Sequence, residues 1–336
     1  MQKSFILFSI ALLLAFSGIP GEVAGQVSFS LKPDLPKVFY QGRRTIDNFR
    51  NSRFPWLIDT LTGFTPVFNL IFTAGTPKTV ILPAIGVNLP AGRNDLRLTA
   101  LTANLMLFPP PFYTDQHEKI EEFARLVRSL NPDIIFLQEI WDNQSLYELI
   151  RKFADYHAVL MPSPLFNHAG LLTLSRFKPE RSLAWSYPLT LHHNFEELIA
   201  RKGLLLAEIN FAGEKIALLN THLYSAGLGV PFKPSFGQFA ILQRHIELLA
   251  ELTVVGGDLN LQPQELEPLL KDGMQRDDCN LPTAGGPSRR SKKLDYILAK
   301  GNKVFSLQIL GSRTEWPVFF SDHSPFFAEV RFNRPY

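Results

Sequence analysis

Short apolar runs alternate with amphipathic stretches through most of the chain beyond residue 95. Leu96, Leu98, Ala100 and Thr102 alternate with Arg97, Thr99 and Leu101 as far as Asn104, a strand pattern that Pro109-Pro110-Pro111 stops. From His117 to Leu130, Ile120, Phe123, Leu126, Val127 and Leu130 recur at threes and fours, the spacing of one helix face. Asn131-Pro132 ends that helix. Ile134 to Leu137 is then wholly apolar, as a strand buried on both faces is. A helix over Asn143–Phe153 follows. Further strands are expected over Leu171–Leu174, Leu204–Ile209, Ile216–Leu219, Thr253–Val255, Leu294–Leu298 and Phe326–Phe332, and another helix over Phe236–Leu249. Phe326–Phe332 alternates as an edge or sandwich strand does. Interleaving of this kind predicts an α/β domain of two packed sheets with helices outside them.

The beginning of the chain reads differently. Lys3, the apolar run Phe5–Phe16 and the small residues Val23-Ala24-Gly25 have the layout of a secretory signal over 1–25. The mature protein is therefore expected to be secreted or periplasmic. Residues 26–93 form an apolar arm. Thr60–Pro77 and Thr79–Gly92 carry no charge, but Gly63, Pro66, Gly75, Pro83 and Pro90 break them up too often for a membrane-spanning helix. Three readings stay open for the arm: strands and loops packed on the main domain, a membrane-interfacial surface over 54–92, or a partner-binding arm. The main domain is expected over 94–336.

Composition narrows the classes. With 336 residues, 46% hydrophobic and 28 Phe, the chain is a folded protein with a large core, not a disordered one. A formal charge of only +3 gives no electrostatic reason to expect nucleic acid, which is therefore the less favoured partner. Cys279, the one cysteine, excludes an intrachain disulfide and a cysteine-based zinc site.

Candidate chemistry gathers at the ends of the strand-like runs. Gly256-Gly257-Asp258-Leu259-Asn260 closes one run; an extended tip would point Asp258 and Asn260 the same way, whereas an Asx turn would be purely structural. Three other runs end in Gln138-Glu139, Asn220-Thr221-His222 and Ser321-Asp322-His323. Glu139 and Asp322 are oxygen ligands suited to a hard divalent cation. His222 and His323 add imidazoles, and Asp295, early in a short strand, could accept a histidine N–H. Any one of these is explained by a turn or a cap. Together they fit a metal, a polarised water and a phosphoryl transition state.

Five pieces, in order, resemble the endonuclease/exonuclease/phosphatase superfamily. They are Leu137-Gln138-Glu139, Asn220-Thr221-His222-Leu223, Gly256-Gly257-Asp258-Leu259-Asn260, Leu294-Asp295-Tyr296 and Ser321-Asp322-His323-Ser324-Pro325. The resemblance covers about 98–332 and implies the four-layered DNase I-like β-sandwich. Thr102-Ala103-Asn104-Leu105, His168–Arg176 and Glu197–Gly203 are similar to the neutral sphingomyelinase branch. That branch implies a Mg²⁺-dependent phosphodiesterase of phospholipase C type, with Mn²⁺ as a substitute, releasing ceramide and phosphocholine from sphingomyelin in a membrane. Under this resemblance Glu139 is the principal metal ligand, with Asn104 beside it and Asp322 assisting. Asp258 orients or deprotonates water, Asn260 holds a phosphate oxygen, and His222 contacts the phosphate. His323, held by Asp295, acts as acid/base or stabilises charge. Lys202 brings positive charge, five residues after Glu197, where the mammalian membrane-associated type has Asp.

Two other activities remain open. A secreted metal-dependent nuclease would use the same core, with Arg289, Arg290, Lys292 and Lys293 as a basic cluster. An inositol-phospholipid phosphatase would crowd more cations around the phosphate. A choline headgroup would need an aromatic face, for which Trp185, Tyr187, Phe195, Tyr224 and Phe232 are candidates; His192 and His193 read as surface residues.

Overall fold

A computed structural model describes residues 79–84, 96–108, 115–141, 143–161, 168–188, 200–225, 234–249, 252–271, 273–285, 291–302, 306–313 and 321–333. The expected signal segment, most of the apolar arm, Glu197, Phe195, His192, His193, Phe232, Arg289 and Arg290 lie outside these residues.

The described strands form two sheets. The larger has seven, in the order β1 (Val80–Leu82), β4 (His157–Leu160), β5 (Leu172–Ser175), β3 (Ile134–Ile140), β2 (Leu96–Leu107), β13 (Phe326–Asn333) and β12 (Ser306–Arg313). The smaller has six: β10 (Met274–Arg276), β11 (Asp295–Lys300), β9 (Leu252–Asp258), β8 (Glu214–His222), β7 (Gly203–Phe211) and β6 (Pro179–Ser186). Within each sheet one central pair is parallel, β2 with β3 and β8 with β9. Parallel neighbours need a crossover, and each pair has a helical one. Helix α1 (Gln116–Leu130) links β2 to β3, and α3 (Pro234–Leu248) links β8 to β9. Helix α2 (Asn143–Lys152) follows β3.

Three apolar layers hold this together. Leu98, Ala100, Ile134, Phe136, Leu218 and Val254 belong to the layer between the sheets. Leu101, Leu105, Ile135 and Leu137 face the other way, against Ile120, Phe123 and Val127 of α1. Leu219, Val255 and Leu298 meet Phe239, Leu242 and Ile246 of α3. The order is thus helix, sheet, sheet, helix: the four-layered DNase I-like α/β sandwich, with the period-two alternation of each strand dividing its side chains between two cores.

Several details refine the sequence reading or depart from it. Of the two alternatives for Phe326–Phe332, the sandwich strand holds: Phe326–Asn333 is interior, paired with β12 on one side and β2 on the other. Strand β3 runs on through Glu139 to Ile140. Val80–Leu82, from the expected arm, pairs with β4 at the end of the larger sheet. Of the aromatic candidates, Tyr187 and Tyr224 are buried, and the Tyr187 hydroxyl is 2.7 Å from Thr221 Oγ1. The rings of Trp185 and His245 meet at 4.4 Å, tilted by 57°. Neither tyrosine offers a face to a headgroup. No helix among the described residues is long and apolar enough to cross a membrane.

Gly256 illustrates how closely the sheets approach below the site. A Cβ there would lie 2.1 Å from Cδ2 and 2.5 Å from Cγ of Phe136 on the facing sheet. Those ring atoms are hemmed in by the core and cannot swing aside. Overpacking of this kind costs about 1–3 kcal/mol, so Gly256→Ala is expected to lower the urea midpoint by that equivalent without changing the slope.

Candidate active site

The site is the next inward-facing layer beyond the apolar one. On β2 the inward residues run Leu98, Ala100, Thr102, Asn104; on β8 they run Ile216, Leu218, Asn220, His222; on β9, Val254, Gly256, Asp258. Strand pairing sets the ends level. His222 is opposite Asp258 in the β8–β9 ladder, and Asp258 opposite Asp295 in the β9–β11 ladder. A polar seam lies beneath. Gln138 Nε2 donates to Asn220 Oδ1 at 2.8 Å across the sheets, and Asn220 Nδ2 donates to the carbonyls of Leu137 at 3.1 Å and Leu172 at 3.0 Å. Buried amides satisfied in this way fix the two sheets in one register.

Glu139 reaches the site by an exception. After Ile134, Phe136 and Gln138, alternation would turn it towards the helices. Its φ of 58°, in the left-handed region, breaks the alternation instead. Its carboxylate then meets Asn104, whose Nδ2 donates to Glu139 Oε1 at 2.9 Å and to Asp258 Oδ2 at 3.2 Å. His222 Nε2 faces the same two carboxylates, 3.9 Å from Glu139 Oε1 and 3.4 Å from Asp258 Oδ2. His222 Nδ1 is buried without a hydrogen-bond partner.

On the other side, His323 Nδ1 is 2.8 Å from Asp295 Oδ2, and its Nε2 is 3.6 Å from Asp258 Oδ2. Ser321 ties this loop to β2: its hydroxyl donates to the carbonyl of Asn104 at 2.8 Å and accepts from the backbone N–H of His323 at 3.1 Å.

The electrostatics separate the two imidazoles. Burial, with the charges of Lys202 and His323, holds His222 well below the ordinary histidine value. Burial acts the same way on His323. There, however, the carboxylates of Asp295 and Asp258 and the Asp295 hydrogen bond together overcome it and raise the imidazole well above that value. His323 is thus the cation and His222 the neutral ring. Asp258 is pushed up to about 7, chiefly by burial and further by Asp295, against the opposing pull of His323, Lys202 and Asn104.

The remaining expected residues are placed less directly. Lys202 is buried, and its Nζ donates to the carbonyl of Leu223 at 3.1 Å, an oxygen that also accepts from Asn260 Nδ2 at 3.0 Å. Asn260 departs from the extended tip: its φ is 50°, and its backbone N–H donates to Asp258 Oδ1 at 3.0 Å. That is an Asx turn, so Asp258 and Asn260 do not project in parallel. Asp322 is half-buried beside His323, and its charge and that of Glu139 act on a buried lysine, Lys119.

The donor set fits a hard divalent cation. Two carboxylates from different sheets, Glu139 and Asp258, converge on one amide, with a neutral imidazole beside them and an oxygen of Asp295 without a partner. Ligand atoms of Asp258, Asp295 and His323 also lie within 4.8 Å of one another and could coordinate such an ion. A second group, His117, Glu121 and Glu148, sits at the contact of α1 and α2. There the two ring nitrogens face different carboxylates, Nδ1 at 2.5 Å from Glu148 and Nε2 at 3.8 Å from Glu121, and Lys152 pairs with Glu121. It is an ion-pair network between the helices.

The sequence reading missed Ser321 as a tie and Lys119 altogether. The signal for Lys119 was its place on the apolar face of α1, one residue before Ile120 and four before Phe123.

A model of the Endonuclease/Exonuclease/phosphatase family matches residues 101–323. A putative neutral sphingomyelinase of Drosophila melanogaster is 25% identical over 275 residues, covering 70% of this chain and 61% of that protein. A 5′-tyrosyl-DNA phosphodiesterase of Caenorhabditis elegans is 27% identical over 163 residues, 44% of this chain and 39% of that protein. The chain therefore spans less than two thirds of either relative. Among solved structures, D. rerio TDP2 complexed with single strand DNA product superposes with a TM-score of 0.57 at 17% identity, over 70% of this chain and 100% of that one. Sphingomyelinase C from Streptomyces griseocarneus gives 0.56 at 17%, over 69% and 99%. These likenesses carry the fold and do not single out the sphingomyelinase branch.

They also correct the expectation that nucleic acid is the less favoured partner, since relatives named for DNA chemistry match in both sequence and structure. A net charge is a sum over 336 residues, whereas a phosphate responds to the few charges within a Debye length of it. Lys202 and His323 are both within the electrostatic reach of Asp258.

Proposed function

The chain belongs to the Endonuclease/Exonuclease/phosphatase family, and within it we propose a divalent-metal-dependent phosphodiesterase that cleaves nucleic-acid phosphodiesters with water. One observation supports this most: Asn104 holds the carboxylates of Glu139 and Asp258 together at the mouth of two sheets, with a neutral and a charged imidazole on either side. In this reading Glu139, assisted by Asn104 and Asp322, holds the cation, with Mg²⁺ the expected ion and Mn²⁺ a substitute. A cation bound there supplies Lewis-acid stabilisation of phosphoryl charge.

The protein's own groups do the rest. Asp258 orients the attacking water and accepts its proton, a task suited to a carboxylate raised to about 7. His323, kept charged by Asp295, donates to a phosphate oxygen as negative charge develops on it. His222 sets a neutral ring beside both carboxylates, so it adds no charge there. Lys202 adds positive potential from beneath, while its bond to Leu223 and that of Asn260 hold the loop after β8 in place. No covalent enzyme intermediate is required. Glu197 would bring a further carboxylate near Lys202.

Sphingomyelin is the second reading. It is supported by the Drosophila relative, whose match extends over more of the chain than that of the tyrosyl-DNA phosphodiesterase, and by the segments His168–Arg176 and Glu197–Gly203. The two readings separate in one assay. The purified chain is incubated with Mg²⁺ and single-stranded DNA, duplex DNA, 5′-tyrosyl DNA, sphingomyelin vesicles or inositol-phospholipid vesicles. DNA cleavage without phosphocholine release is the expected result. Phosphocholine release with intact DNA would overturn the nucleic-acid reading in favour of the lipid one.

A further inference from the structure

Lys119 lies on α1, a helix that packs against the larger sheet, and its side chain is wholly buried. Its Nζ donates to two consecutive carbonyls, those of Leu105 and Met106, each at 3.2 Å. In a regular strand successive carbonyls point to opposite sides, so one ammonium cannot reach both. They converge here because β2 is irregular. Its register with β3 shifts between Asn104 and Leu107, and Met106 has a φ of 51°, which an unbranched L-residue adopts only under constraint.

The same irregularity turns the backbone N–H of Met106 onto Asn104 Oδ1 at 3.2 Å. That contact fixes which way the Asn104 amide faces, and so leaves Nδ2 to gather Glu139 and Asp258. A continuous chain of bonds therefore leads from a buried ammonium, through a bulge, to the amide at the centre of the site.

We infer that Lys119 is a positioning residue: by clamping the Leu105–Met106 bulge it orients Asn104 and sets where the cation-binding carboxylate of Glu139 lies against that of Asp258. The inference rests on the reading of Glu139, assisted by Asn104, as the group that holds the cation. Burial lowers the Lys119 ammonium to about 8, with the charges of Asp115, Glu139 and Asp322 opposing that fall. The anionic site and the lysine thus feel one another, and this gives the test opposite signs. If Lys119 acted on the site only through its charge, removing it would tighten cation binding. If it were only packing, its loss would lower the melting temperature and leave cation binding unchanged. As a clamp, its loss must weaken cation binding.

The test is calorimetric titration of the full chain with MgCl2, comparing the wild type with Lys119→Met and, separately, Met106→Val. Valine is β-branched and disfavours the left-handed conformation, so it opposes the bulge while leaving the lysine in place. Positioning groups behind metal ligands typically change affinity by about 10–100-fold, and both variants are expected to weaken Mg²⁺ binding within that range. Should Lys119→Met fail to fold, Met106→Val decides alone. Unchanged or tighter Mg²⁺ binding in the variants, against a wild type that binds, overturns the clamp and leaves the reading of the site intact. A wild type that takes up no Mg²⁺ overturns both.

Discussion

Replacing Asp258 by asparagine is expected to lower the turnover of phosphodiester substrate by about 10³, within the range for loss of a positioned general base. The substitution keeps size and shape. It also keeps an oxygen to accept from Asn260 N, as Oδ1 does at 3.0 Å. What it removes is a buried charge that sits 3.6 Å from His323 Nε2 and 3.4 Å from His222 Nε2. Because burial already penalises the charged carboxylate, its loss should not unfold the protein, and the melting temperature is expected to hold or rise. Turnover and melting measured on one preparation check this. A variant that melts normally and turns over at the wild-type rate would remove Asp258 from the chemistry.

The second large effect is expected at Glu139. Glu139→Gln should abolish most Mg²⁺-dependent turnover, by about 10³, an order comparable to removing a principal charge-stabilising group. It should also raise the Mg²⁺ concentration needed for half-maximal rate. The geometry explains the separation from Asp258. Glu139 is partly exposed at the mouth, whereas Asp258 is 1% exposed beneath it. A Mg²⁺ titration of initial rates distinguishes them: Glu139→Gln should be partly rescued by high Mg²⁺ and Asp258→Asn should not.

Much of this site could be read in the sequence because it lies at strand ends, where local patterning is strong. Apolar runs ending in Glu139, His222 and Asp258 gave both the sheets and the polar layer above them. Asp295 was placed as a partner for histidine by its position early in a strand, and it does bond His323. The edge strands were less legible. Strand β6 begins at Pro179 and carries Glu180, Arg181 and Ser182, and β12 is polar at half of its positions; among the described strands each ends its sheet, so little apolar patterning is required. Positive φ was legible only at Asn260, where the sequence offered an Asx turn on Asp258. Glu139 and Met106 leave the regular backbone where distant residues meet them, and each departure redirects a side chain or an amide at the site. Lys119 was hidden for the same reason, since the carbonyls it holds exist as a pair only once β2 has bulged.

Turnover of bis(4-nitrophenyl) phosphate by the full chain, stripped with EDTA and then titrated with MgCl2, tests metal-dependent phosphodiester hydrolysis at this site whatever the natural substrate. Negligible hydrolysis in EDTA, restored saturably by Mg²⁺ and lost again in Asp258→Asn, is the predicted result. Equal hydrolysis with and without the cation would contradict the assignment of Glu139 and Asp258 to a metal-dependent phosphodiesterase.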